Sequence, residues 1–126
     1  MQLPGPGDLL REHLDRPRCA GRLERPDATA TVTNPACGDV LALDIAVQRG
    51  RIVAAGQVVQ GCPAARALAS ILAGLVVGLS LEEARRLDVE RLDREVGGLP
   101  GQKKHAAHLA ADALAEALRE LQPLRP

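Results

Sequence analysis

From Val40 to Gln48 the residues Leu41, Leu43, Ile45 and Val47 alternate with Ala42, Asp44, Ala46 and Gln48, the period-two pattern of a half-buried β-strand. Ile52 to Gln60 follows as its partner, joined through Gln48-Arg49-Gly50-Arg51, where Gly50 suits the positive φ of a tight hairpin loop. Upstream, Ala28 to Thr33 is a first strand and Asn34-Pro35 turns the chain. Asp8 to Leu14 reads as a short helix, with Leu9, Leu10 and Leu14 on one side and Arg16-Pro17 as its stop. Arg18 to Asp27, rich in charge, Gly and Pro, reads as irregular. After Cys62 the period changes to that of a helix. Ala64 to Val77 is apolar nearly all round, with Leu68, Ile71, Leu72 and Leu75 as its strongest stripe, and Gly78 closes it. Ser80-Leu81-Glu82-Glu83 is a capping box that opens another helix, which ends near Gly97-Gly98. Pro100 precedes a last helix, about Gln102 to Leu121, with Leu109, Ala113, Ala117 and Leu121 facing the core and Pro123 as its stop.

Strands first and helices afterwards predict an α+β domain, a small antiparallel sheet of about three strands with helices packed on one face. Residues 1–126 form one domain: 1–27 an N-terminal helix and irregular segment, 28–60 the sheet, 63–121 the helices.

Composition sharpens this picture. Hydrophobic residues make up 46% of the 126 positions, yet Phe, Tyr and Trp are absent. A core of Leu, Val, Ile and Ala favours helices packed closely on a small sheet over a large β-sandwich. Lys and Arg total 16, as do Asp and Glu, so no bulk field attracts nucleic acid or an anionic membrane. Met1 to Gly5 has neither a basic nor an apolar leader region, and no apolar run approaches a membrane span. The chain reads as cytoplasmic. Three cysteines in a reducing compartment are expected to be free thiols, ligands or nucleophiles.

Two of these cysteines form a pattern. The two-residue loop pairs Gln48 with Arg51, and continuing the ladder residue for residue sets Cys37 opposite Cys62. Opposed Cβ atoms stand roughly 4.5 to 5.5 Å apart, near enough for both sulfurs to reach one ion at about 2.3 Å. A bulge, for instance at Gly56, would shift this register by one. By parity Cys37 and Asp39 project on the side of Leu41 and Leu43, toward the core. Pro63 fits a first helical position, which makes Cys62 the N-cap or its neighbour, where the helix dipole favours a thiolate able to bind metal or attack sulfur. Competing readings stand beside these: a buried hydrophobic thiol for Cys19, an Asx turn for Asp39, an ordinary polar residue for His105. His13 is expected in solvent, and Lys103-Lys104 as a solvated patch. His108, three residues beyond His105, shares its helical side.

The motifs N-P-A-C-G-D (Asn34 to Asp39), G-C at Gly61-Cys62, G-x-S-L-E-E-A (Gly78 to Ala84), L-P-G-Q-K-K-H-A (Leu99 to Ala106) and L-A-A-D-A-L (Leu109 to Leu114) occur in one order. In that order and spacing, from about Pro17 onward, the chain resembles the IscU/NifU-type iron-sulfur cluster scaffold family. The resemblance implies a SufE/NifU-like two-layer domain that assembles a nascent 2Fe-2S cluster with sulfur from a cysteine desulfurase and passes it to apo-protein acceptors. It also implies a site, able to hold zinc instead, at Cys37, Asp39, Cys62 and His105. The family's third cysteine would follow His105, where this chain has Ala106. Cys19 falls where the family tends to have Asn, and only a fold-back of the N-terminal segment would bring it near. The family segment that binds an Hsp70-type chaperone, L-P-P-V-K, appears here in part as Leu99 to Lys103.

Two thiolates, an imidazole and a carboxylate suffice for tetrahedral zinc, while a thiolate-poor 2Fe-2S cluster should be labile. The leading expectation is therefore a scaffold or carrier, not a turnover enzyme. Its rivals are a family member that holds zinc or no metal and acts through protein contacts, and a sulfur acceptor carrying persulfide on Cys62.

Overall fold

The computed structural model describes residues 6–99 and 101–121. Helix α1 (Pro6–Asp15) precedes strands β1 (Ala28–Thr33), β2 (Val40–Gln48) and β3 (Arg51–Gln60). Helices α2 (Pro63–Val76), α3 (Leu81–Arg85), α4 (Val89–Glu95) and α5 (Lys104–Glu120) follow, with a short 3₁₀ turn at Gly101–Lys103 before α5. Pro100 and Pro123, expected to flank the last helix, lie outside the described residues.

The sheet is antiparallel in the order β1-β2-β3, as the alternation predicts. Arg49 (φ 53°) and Gly50 (φ 77°) make a hairpin loop with both central residues left-handed, the twist that suits two-residue hairpins. The inner face carries Leu41, Leu43, Ile45 and Ile52, each 1% exposed or less, against Leu68, Leu72 and Val76 of α2 and Leu114 of α5. Small residues let the layers close up: Ala65, Ala67, Ala69 and Ala73 on α2 and Ala106, Ala107, Ala110 and Ala113 on α5 are all buried. Leu10 of α1 completes the cluster.

The expected pairing needs two corrections. Gln48 pairs with Arg51 and Val47 with Ile52, but Ala46 pairs with Ala54, so Val53 is the extra residue of a bulge. The shift lies at Val53 rather than Gly56, because Gly56 is committed elsewhere: a Cβ there would stand 2.5 Å from the Gly21 carbonyl oxygen. The ladder also stops at Val40–Gln60, so Cys37 and Cys62 are not ladder partners.

The segment after α1 is irregular, as expected, but it is not loose. It wraps the edge of β3. The Arg18 amide donates to Ser70 Oγ of α2 (2.7 Å), the Gln57 amide donates to the Cys19 carbonyl (2.9 Å) and the Gly21 amide donates to the Gln57 carbonyl (2.9 Å). Beyond the edge, Arg22 and Leu23 reach Asp44 on the outer face. Arg22 Nε and Nη2 each approach the carboxylate at 2.8 Å, with Thr29 Oγ1 at 2.6 Å and the Leu23 amide at 3.0 Å. Asp44 is fully buried, so β2 is covered on both faces where a half-buried strand was expected. His13 also departs from expectation: its Nδ1 lies 2.7 Å from the buried Ser70 hydroxyl, which ties α1 to α2.

The helix opened by Ser80 begins with the expected capping box, Glu83 N to Ser80 Oγ at 3.0 Å and Ser80 N to Glu83 Oε1 at 2.8 Å. It does not run to Gly97. Asp88 accepts from the Arg91 amide at 3.0 Å and caps a separate helix, α4, because an Asp side chain competes with helical backbone bonding. Gly97 and Gly98, both left-handed, then end α4.

Candidate metal centre

Three chain segments converge beyond the β2–β3 end of the sheet. The first is the turn of Asn34 to Asp39. Asn34 Oδ1 accepts from the Ala36 amide (2.9 Å), and the Asn34 carbonyl accepts from the Gly38 amide (2.7 Å), with Gly38 left-handed at φ 77°. The Asn34 amide returns to the Asp39 carbonyl at 2.8 Å. This closed turn holds Cys37 outward and Asp39 inward: Cys37 is exposed, Asp39 only 6% exposed. Parity had put Cys37 toward the core; it fails because the strand begins only at Val40, after the turn.

The second segment is the start of α2. Cys62 is the N-cap, with extended backbone, Pro63 directly after it, and its Sγ accepting from the Ala65 amide at 3.4 Å. That placement confirms the reading from Pro63. The third is the first turn of α5, which carries His105.

The side chains meet closely. Ligand atoms of Cys37, Asp39 and His105 all lie within 4.8 Å of one another. Cys62 stands beside this trio, its Sγ 3.4 Å from His105 Nε2. Asp39 Oδ1 accepts from the Cys62 amide at 3.3 Å, while Oδ2 is buried with no hydrogen-bond partner among the described residues and lies 3.9 Å from His105 Nε2. A buried carboxylate oxygen without a donor is costly, and a bound cation would satisfy it. In a tetrahedral zinc site with ordinary bond lengths, neighbouring S and N ligands stand about 3.6 Å apart, and N and O about 3.4 Å. The two spacings at His105 Nε2, 3.4 Å to Cys62 Sγ and 3.9 Å to Asp39 Oδ2, are within about half an ångström of those. Three of the four sequence-derived residues thus form one group and Cys62 adjoins it through His105, although not through the strand pairing that suggested it.

The remaining candidates separate. Cys19 is half-buried at the β3 edge, where burial pushes its thiol pKa up, toward the neutral form that neither ligates nor attacks. Ala106 is 1% exposed and packs in the core cluster. His108, Lys103 and Lys104 are exposed, and Leu99 is buried.

Sequence reading missed a cavity of about 720 Å³ between α1, the start of α2 and the corner at Lys103. Leu10, Leu14, Pro63 and Ala64 line it with apolar surface, Arg11, Lys103 and Asp15 add charge of both signs, and it opens onto Cys62 and His105. The Leu10 and Leu14 spacing on α1 was its local signal.

Comparison with known proteins places the chain in a family. Residues 8–123 match the family model described as NifU-like N terminal domain. The chain is 38% identical over 111 residues to "Iron-sulfur cluster assembly scaffold protein IscU 1" of Archaeoglobus fulgidus, covering 88% of this chain and 72% of that one. It is 36% identical over 117 residues to "Iron-sulfur cluster assembly scaffold protein IscU" of Azotobacter vinelandii, covering 90% and 91%. Its fold matches the crystal structure of the N-terminal NifU-like protein from Brucella abortus with a TM-score of 0.76 and 24% identity, over 93% of this chain and 94% of that one. By its matched length, its relatives and its fold, the chain belongs to the IscU/NifU family, whose shared unit is the NifU-like N-terminal domain.

Proposed function

We propose that this chain is an iron-sulfur cluster assembly scaffold or carrier whose cargo is held by Cys37, Asp39, Cys62 and His105. The single observation that carries the reading is Asp39 Oδ2, buried, without a donor among the described residues, and 3.9 Å from His105 Nε2. The four side chains supply two thiolates, an imidazole and a carboxylate. Such a set holds zinc well, and holds a 2Fe-2S cluster weakly because soft thiolates favour iron-sulfur chemistry and only two are present. A labile cluster suits a protein that gives its cargo away. The donor in this reading is a cysteine desulfurase and the recipients are apo-proteins. No helix among the described residues is long and apolar enough to cross a membrane.

The cavity beside Cys62 favours one second reading. It gives a sulfur donor room to approach the N-cap thiol, so Cys62 is also the candidate persulfide acceptor.

Anaerobic incubation with iron, cysteine and a desulfurase tests both. A visible sulfide-to-iron band, with iron and sulfide in the product, supports the scaffold. A mass gain of one sulfur that disappears in Cys62→Ser supports the acceptor. Bound zinc without colour or added mass would sink both and leave a zinc-holding interaction module.

A further inference from the structure

Gly61 immediately precedes the N-cap cysteine, and its backbone is not left-handed, so conformation does not explain a glycine here. Space does. A Cβ on residue 61 would stand 2.6 Å from Asp39 Cγ, 2.7 Å from Asp39 Oδ1 and 2.9 Å from Asp39 Cβ. All three are closer than real Cβ contacts come, and all three belong to one side chain. The bare face of Gly61 is therefore the seat of the Asp39 carboxylate.

The seat also fixes the carboxylate's orientation. With its flank against Gly61, Oδ1 reaches the Cys62 amide at 3.3 Å and Oδ2 is left buried toward His105. A methyl group at 61 must push the carboxylate off this seat. Asp39 is then driven to another rotamer, its bond to the Cys62 amide is lost, and Oδ2 leaves the centre. Residue 61 itself is exposed, so the added methyl disturbs no core packing.

We propose that Gly61 is a positioning residue for the metal centre: the absence of a side chain there sets the Asp39 carboxylate in ligating position. The inference rests on the reading of Asp39 as a ligand. It assigns no ligand to Gly61; the residue acts only through Asp39.

Cobalt(II) titration in competition with a chromophoric chelator, on the full chain, tests it with four proteins: wild type, Gly61→Ala, Asp39→Gly and the double variant. Gly61→Ala is expected to weaken cobalt binding by about 10- to 100-fold, the usual cost of disturbing the residues that orient a ligand. Thiolate-to-cobalt absorption should persist, since Cys37 and Cys62 remain, while the ligand-field bands shift. In the Asp39→Gly background, adding Gly61→Ala should change affinity by no more than about twofold, the level at which independent effects add. A structural role unrelated to Asp39 would weaken both backgrounds alike, and that result overturns the inference. So does Gly61→Ala binding as tightly as wild type. If Gly61→Ala alone fails to fold, the double variant should fold, because it lacks the three atoms that the methyl would meet under 3.0 Å; failure of both also overturns the inference. The metal-site reading fails separately, in the arms unchanged at position 61: wild type that binds no cobalt, or Asp39→Gly that binds as tightly as wild type, removes that reading and this inference with it.

Discussion

Cys62 Sγ and His105 Nε2 stand 3.4 Å apart across 43 residues of sequence, the cap of α2 meeting the first turn of α5. The two helices pack against each other and both are rich in buried alanine, Ala65 and Ala69 on one and Ala106 and Ala110 on the other, so the contact is set by the core rather than by a flexible loop. Removing either group should cost metal and little else. Cys62→Ser and His105→Ala are each expected to weaken zinc binding at least about tenfold, or about 1.4 kcal/mol. Both sites are part-exposed, so the metal-free proteins should unfold in urea within about 1 kcal/mol of wild type. Zinc competition and urea titration on the same samples check the pair of outcomes.

Ala106 follows His105 where the resemblance places a third cysteine. Ala106→Cys should slow the loss of visible cluster absorption when anaerobically loaded protein is exposed to air. An unchanged decay rate would mean that a thiol at this buried position does not join the centre.

Asp44 is the anchor of the wrapped segment. Its carboxylate is held below the usual Asp range chiefly by its hydrogen bonds from Arg22, then by those from Thr29 and Leu23, with burial opposing. Asp44→Ala leaves the Leu23 amide and the Thr29 hydroxyl without their acceptor and should destabilise the fold by about 2 kcal/mol. The sign with pH follows from the lowered value. The stabilisation is complete above pH 3.8 and is lost as the pH falls below it, which predicts an acid limb of unfolding that the variant lacks. Urea midpoints measured from pH 6 downward would reveal it.

His13 titrates below its ordinary 6.5, mainly because it is partly buried and secondarily because Arg18 is near; the Glu12 charge opposes. The unfolded chain therefore takes up the proton first. Stability from this group is complete above 6.5 and declines as the pH drops through the lowered value. His13→Asn, which can keep an acceptor toward Ser70, should flatten the wild-type decline of melting temperature on the acid side of neutrality. Comparing the two pH profiles isolates His13 from His105 and His108, which both proteins share.

Local chemistry made most of the fold legible. The β2 and β1 spans are those read from alternation and turn residues, β3 differs by one residue at its start, and α2 by one residue at each end. The capping box of Ser80 and the cap position of Cys62 are written in neighbouring residues, so they too were readable. What escaped was decided by contacts far apart in sequence. The Val53 bulge has no local signature, and the wrap of residues 18–23 depends on Gly21 meeting Gly56 and on Asp44 receiving Arg22. The break at Asp88 was present as an Asp before a helical run but hidden inside a longer apolar period. The site followed the same division. The four candidate residues each sit in a short motif and so could be named, whereas the geometry around them depends on a turn and two helix starts that strand parity does not describe.

The wrapped segment has one more consequence, for how other chains can approach. β3 is an edge strand, and an open edge invites a foreign strand to extend the sheet. Here its outward hydrogen-bonding groups are taken at two places: Ile52 exchanges bonds with Leu79 and Gly78, and Gln57 with Cys19 and Gly21. An incoming strand would have to strip both clasps before it could pair along the whole of β3. The edge nearest the hairpin loop is thus closed to strand addition, and the accessible approach to the thiols is left to the cavity beside α1 and to the exposed turn at Cys37.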